Sequence, residues 1–352
     1  MAPSVSETTT HTVEQAANGV GKLDLKEKLI EKGPYPFYYP YFDSNEKFPP
    51  TEIFEHTDPG SRANPTKPNL LGPGVKTTDV SPHIGTEITG VQISQLSHAG
   101  LDELALFAAQ RKLLIFRDQD FKDIGPERQI EIARYFGPIQ RHPTSGNVEA
   151  FPEFHVGKSN LAYIDYRLKF DKTSTVYRDG DNNRFKEYLG GDRANKTSWH
   201  SDVSYEKQPP GTTIFFILDQ PPSGGDTLFL SQVEAYNRLS PEFKKRLEGL
   251  RAVHSAVAQA EHSRKRGGPV RREPVETEHP LVRQHPVTGE KALYVNQGFT
   301  RHIVGYKVEE SEYLLKFLYD HIAKGSDFQV RATYKPGTVV VWGPVDGAVP
   351  EV

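Results

Sequence analysis

Residues 199–217 read WHSDVSYEKQPPGTTIFFI, an aromatic, a histidine and an acid followed by a proline break and an apolar run. In an extended strand, side chains two apart share a face, so His200 and Asp202 would stand side by side. A neutral imidazole and a carboxylate so placed can bite one metal ion, as two of the three donors of a facial site that keeps open positions. A lone His-x-Asp is common by chance, however, and its plain reading is a half-buried histidine bonded to a nearby carboxylate. Pro209-Pro210-Gly211 then breaks the chain, and Thr212 to Leu218 reads as a short strand.

Outward from this stretch, short β-like runs alternate with a few helices. DTLFLS (Asp226 to Ser231), ALYVNQGF (Ala292 to Phe299), FQVRATY (Phe328 to Tyr334) and GTVVVW (Gly337 to Trp342) read as strands on the C-terminal side. Upstream, SPHIGTEITGVQI is strand-like and KLLIFRDQ (Lys112 to Gln119) has the continuous apolar centre of a buried strand. Helices are expected at Leu101 to Gln110, at Pro126 to Phe136, at Ser240 to Leu250 with Ser240 as N-cap, and at Glu309 to Lys324. The basic residues between Arg264 and Arg272 read as a solvated loop, and Leu161 to Lys196 as a long mobile segment. Many short strands with few helices predict a mainly β fold, a barrel or jelly roll with helical insertions.

The chain divides into a polar tail (1–22), a Pro- and aromatic-rich arm (23–75), a globular domain (76–342) and a short distinct tail (343–352). Apolar residues at 36% and aromatics at 11% suffice for a core, which argues against whole-chain disorder. The 43 basic and 46 acidic residues are mixed along the chain, unlike the one-signed face of a nucleic-acid binder. With no cysteine, disulfides, zinc-thiolate sites and thiol nucleophiles are excluded. The N-terminus lacks a secretory pattern and no run reaches the length of a membrane span, so a cytoplasmic protein without membrane contacts is expected.

Taken in order, KLLIFRDQ, FGPIQRHP, WHSDVSYEKQPPGTTIFFI, GGDTLF, HPVTGEKALYVNQGFT and FQVRATY resemble the taurine/sulfonate dioxygenases, including fungal ones, across about Lys76 to Trp342. The resemblance implies a double-stranded β-helix and Fe(II)/2-oxoglutarate-dependent chemistry: a small sulfonate is hydroxylated with O2, sulfite leaves, and 2-oxoglutarate becomes succinate and CO2. By position it makes His200 and Asp202 iron ligands and Thr227 a hydrogen-bond partner of a 2-oxoglutarate carboxylate. It places His142 at the substrate sulfonate and Tyr205 at the pocket wall, where a core aromatic is the competing reading. It also admits a homo-oligomer.

Two departures bear on the substrate. Ser145 stands where the taurine enzymes have a tyrosine, and Lys196 where they have an asparagine; Lys196 could meet a small anion as a point charge. A third departure concerns the metal. In the family, the strand matching Gly337 to Trp342 leads to a second iron-binding histidine and to arginines for cosubstrate and substrate. Here the chain reads GPVDGAVPEV from Gly343, with no histidine after His321 and no arginine after Arg331. Neither His302 nor His321 matches a ligand position. The expectation is therefore a C-terminally incomplete member, with its last barrel strands missing, their neighbours left as exposed edges, and little turnover. An inactive relative, and a metal-dependent hydrolase built on His200 and Asp202, are the competing readings. Iron-dependent succinate formation separates the first reading from both, and anaerobic hydrolysis would mark the last.

Overall fold

The computed structural model describes residues 35, 38, 40–41, 43, 45–148, 150–154, 161–162, 177–178, 198–220, 222–265, 267–343 and 347–351. In chain order its strands are β1 (Pro40–Tyr41), β2 (Lys76–Asp79), β3 (Thr86–Thr89), β4 (Leu113–Phe116), β5 (Asn147–Val148), β6 (Leu161–Ala162), β7 (Tyr177–Arg178), β8 (Ser198–His200) and β9 (Thr213–Phe216). There follow β10 (Thr227–Ser231), β11 (Arg251–Ser255), β12 (Glu276–Pro280), β13 (Val282–Gln284), β14 (Lys291–Leu293), β15 (Thr300–Ile303), β16 (Gln329–Ala332), β17 (Val339–Trp342) and β18 (Gly347–Glu351).

The two most apolar runs, β4 and β17, pair antiparallel at the centre of a five-stranded sheet of order β2-β3-β4-β17-β9, with Val339 opposite Phe116 and Trp342 opposite Leu113. Every residue of both strands is buried, because both faces of this sheet are covered. Leu114, Phe116, Val339 and Val341 pack under the helix His98–Arg111, together with Leu104 and Phe107. The alternate set, Leu113, Ile115, Val340 and Trp342, meets Phe229, Val330, Ala332 and Tyr334. Those last residues belong to or follow β10 and β16 of a four-stranded sheet of order β16-β10-β18-β8. Gly337, at φ 80°, makes the turn into β17; a Cβ there would lie 3.0 Å from the Gln119 carbonyl oxygen.

The helix Val308–Lys324 covers a second core. Its buried residues Ser311, Leu315, Leu318 and Ile322 recur at the spacing of one helical face and close over Leu230, Leu281, Leu293 and Ile303. The described part of the arm lies irregularly over the body: Pro59–Arg62 forms a single 3-10 turn, and the Glu103 carboxylate, 1% exposed, accepts the backbone N–H groups of Asn69 and Leu70. No helix among the described residues is long and apolar enough to cross a membrane.

Three expectations change. The edges predicted to be left open are paired: β18 lies between β10 and β8, with Ala348 opposite Leu230 and Val349 opposite His200. The run Ala292 to Phe299 is strand only to Leu293, because the backbone N–H groups of Asn296 and Phe299 go to the side chains of Thr300 and Asn296 instead. The basic run is not a solvated loop: Val257–Lys265 is helical, Arg271 is fully buried, and Arg272 pairs with the buried Glu206. Nearly all of Leu161 to Lys196 lies outside the described residues.

Candidate active site

Strand β8 stops at His200, so the strand pleat does not set Asp202 beside it. A turn does so instead. His200 Nε2 and Asp202 Oδ1 come to 3.4 Å, both side chains keep some exposure, and the His200 ring meets Phe299 edge-on at 6.4 Å. Two donors about 2.1 Å from one metal at a right angle stand about 3 Å apart, so this pair fits two corners of a metal site. Among the described residues no third His, Asp or Glu joins them.

The turn is held under strain. Val203, β-branched and 3% exposed, has φ 43°, a left-handed conformation that costs a residue of this kind roughly 1–3 kcal/mol. Polar bonds on both sides keep it there. The Ser204 hydroxyl accepts from Asn296 Nδ2 and shares a hydrogen bond with His254 Nδ1, each at 2.9 Å. The other ring nitrogen of His254, Nε2, faces Thr300 Oγ1 at 3.4 Å. His254 stacks on Tyr294 at 5.2 Å, and His279 stands edge-on to both. Burial pushes His254 down to about 3 and His279 to about 4, with the neighbouring Arg283 adding to both. His279 Nε2 lies 2.8 Å from the Glu206 carbonyl oxygen. The Glu206 carboxylate, 2% exposed, is gripped by Arg272 and reached by Gln140 Nε2 at 3.3 Å and Thr51 of the arm at 3.4 Å.

Tyr205 has the contacts of a core aromatic. It is fully buried, packs edge-on against Phe299 at 5.0 Å, and donates to Gln259 Oε1 at 2.7 Å. Burial raises its hydroxyl far above the usual phenol range. It does meet the His142 loop: Tyr205, Pro143 and Thr144 line one cavity of about 10 Å³. His142 Nδ1 accepts from the backbone N–H groups of Thr144 (3.2 Å) and Ser145 (3.0 Å), which leaves the ring proton on Nε2. Lys196 lies outside the described residues.

Thr227 opens β10 opposite Ala332 and is 8% exposed. Because β18 separates β10 from β8, register and pleat put Thr227 on the same sheet face as His200, about 12 Å away along two strand spacings and two residues. Beside Thr227 lies the buried hydroxyl of Tyr334, within reach of the Thr227 hydroxyl. The sequence pointed to His200, Asp202, Thr227 and His142. It assigned no role to Ser204, His254, Asn296, Glu206 or Arg272, which gather around the turn from segments far apart in sequence.

Compared with known proteins, residues 76–343 match the model of the family described as "Taurine catabolism dioxygenase TauD, TfdA family". The chain is 45% identical over 323 residues to the alpha-ketoglutarate-dependent dioxygenase cnsM of Penicillium expansum, covering 90% of this chain and 84% of that protein. It is 40% identical over 326 residues to the alpha-ketoglutarate-dependent sulfonate dioxygenase of Saccharomyces cerevisiae, covering 92% and 74%. Its structure resembles that of a putative alpha-ketoglutarate-dependent taurine dioxygenase from Burkholderia xenovorans, with a TM-score of 0.60 at 29% identity over 78% of this chain and 86% of that one.

Proposed function

From the premise that this chain belongs to the TauD/TfdA family of alpha-ketoglutarate-dependent dioxygenases, we propose that its substrate is a small organosulfonate and its fold the double-stranded β-helix. The observation that carries the reading is the approach of His200 Nε2 to Asp202 Oδ1 at 3.4 Å on a strained, clamped turn. The net reaction consumes O2 and 2-oxoglutarate. One oxygen atom enters succinate as CO2 leaves, and the other enters the substrate carbon that bears the sulfonate. The hydroxylated carbon then expels sulfite and a proton and becomes an aldehyde.

Iron(II), held by His200 and Asp202, would supply the oxygen-activating redox chemistry. The Ser204–His254–Asn296 clamp holds the turn that follows the two ligands. The Thr227 hydroxyl offers a hydrogen bond to a carboxylate of 2-oxoglutarate from the sheet face it shares with His200. On the substrate side, His142 presents an Nε2–H fixed by its own loop, a donor suited to an anionic oxygen.

The test is to supply Fe(II), ascorbate, 2-oxoglutarate and a panel of sulfonates under air, and to follow succinate and sulfite together. Equimolar succinate and sulfite, lost in His200→Ala and Asp202→Ala, is the expected result. Succinate without sulfite from any member of the panel would move the substrate out of the sulfonates. A second reading, a member of the family without turnover, is favoured by one observation: among the described residues the donor set stops at two. Absence of succinate with every sulfonate would select it.

A further inference from the structure

The largest fully buried side chain of the described residues is a charged one, Arg271, and it belongs to none of the groups named above as contacting metal, cosubstrate or substrate. It ties together three segments far apart in sequence. Its guanidinium donates to the Glu46 carboxylate of the arm, to the Ser145 carbonyl oxygen, and to Asn147 Oδ1 at 3.2 Å. The plane lies over the Phe48 ring, 5.6 Å from its centroid. The backbone repeats the same three-way link: Arg271 N donates to Pro143 O at 2.9 Å, and Arg271 O accepts from Phe48 N at 2.7 Å. Asn147 Nδ2 closes the ring of contacts by donating to Glu46 Oε2 at 3.2 Å.

Both oxygen atoms fixed from the 143–147 loop, Pro143 O and Ser145 O, flank the residues whose N–H groups set the His142 ring. A guanidinium is a planar fork, so it fixes acceptors in angle as well as distance, which a lysine ammonium cannot do. A buried guanidinium also needs its counter-charge, and that charge, Glu46, comes from the arm. We propose that Arg271, neutralised by Glu46, is a positioning residue for the His142 loop, and that the arm thereby sets the geometry of the substrate-binding side of the active site. The proposal rests on the reading of His142 as the sulfonate contact. It predicts that disturbing a residue of the arm changes how the enzyme handles its sulfonate and leaves its handling of 2-oxoglutarate alone.

The experiment compares the full-length protein with Glu46→Gln and Arg271→Lys, both of which keep volume near the native value. The first readout is the ring-nitrogen NMR spectrum, with the His142 signal assigned by its loss in His142→Gln. The second is the steady-state dependence of sulfite release on the sulfonate preferred by the wild type, alongside the 2-oxoglutarate KM. Expected are a wild-type His142 ring locked with its proton on Nε2, tautomer averaging in both folded variants, and a ten- to hundredfold fall in kcat/KM for the sulfonate, on the order expected for a displaced binding group. The 2-oxoglutarate KM should stay within about twofold of the wild type. An unchanged His142 ring in folded Glu46→Gln overturns the positioning role. A disturbed ring with unchanged sulfonate kinetics overturns its bearing on the substrate. If the wild type releases sulfite from no sulfonate, the substrate reading itself fails, while the ring spectrum still decides whether Arg271 positions the loop.

Discussion

At the residue scale, the turn that carries Asp202 depends on histidines that must stay uncharged. His254 shares a hydrogen bond with Ser204 through Nδ1 and is fully buried, so a second proton would place an unsolvated cation beside Arg283 and Arg301. His279 is pressed the same way by burial, Arg283 and Arg251, although its bond to the Glu206 carbonyl opposes the shift. Both have folded pKa values, about 3 and about 4, below the 6.5 of a free histidine. Below pH 6.5 the unfolded chain takes up protons that the folded chain refuses. Stability is therefore complete above that pH and falls as pH drops toward 4, by about 1.4 kcal/mol per pH unit for each histidine. Urea midpoints at pH 7, 5.5 and 4.5 should show this slope, and a His254→Asn/His279→Gln variant should flatten it. An unchanged slope in the variant would place the acid sensitivity elsewhere. This histidine pair was invisible in the sequence, since a histidine in an alternating strand such as Arg251–Ser255 looks the same whether it is buried or solvated.

Among elements, the runs with the plainest physical demand were the ones the sequence revealed. Leu113–Phe116 and Val339–Trp342 are apolar at every position because both faces of their sheet are covered, and the helix Val308–Lys324 shows its buried face at regular spacing. The elements that sequence misplaced are those set by long-range polar contacts. The run from Arg264 to Arg272 looked like a solvated surface, but Arg271 and Arg272 find carboxylates at Glu46 and Glu206, far away in sequence, and are buried by them. The Arg272–Glu206 pair joins the segment before β12 to the turn after β8, so removing one partner leaves a buried charge alone. Arg272→Ala should destabilise the fold by about 3–5 kcal/mol, whereas Arg272→Met combined with Glu206→Gln should recover most of the loss. Urea denaturation of the two proteins at pH 7 decides this; equal losses in both would mean that the ion pair is not what holds the turn.

On the scale of the whole molecule, the two sheets enclose an apolar interior, and the candidate active site sits where β8 ends and β10 begins, on the two strands that flank β18. Membership of the TauD/TfdA family was legible because six separated motifs recur in order, and the family match and the relatives agree with it. The placement of β18 was not legible, since Gly347–Glu351 holds a proline, lacks the apolar alternation of a recognisable strand and is defined by its two neighbours. The proposed chemistry depends on joint metal binding by His200 and Asp202. That binding is tested most directly by titrating the protein with Mn(II) under electron paramagnetic resonance, with and without 2-oxoglutarate, in the wild type, His200→Ala and Asp202→Ala. One ion per chain is expected, bound more tightly when 2-oxoglutarate is present, with that binding lost in both variants. Binding of equal strength in all three proteins would contradict it.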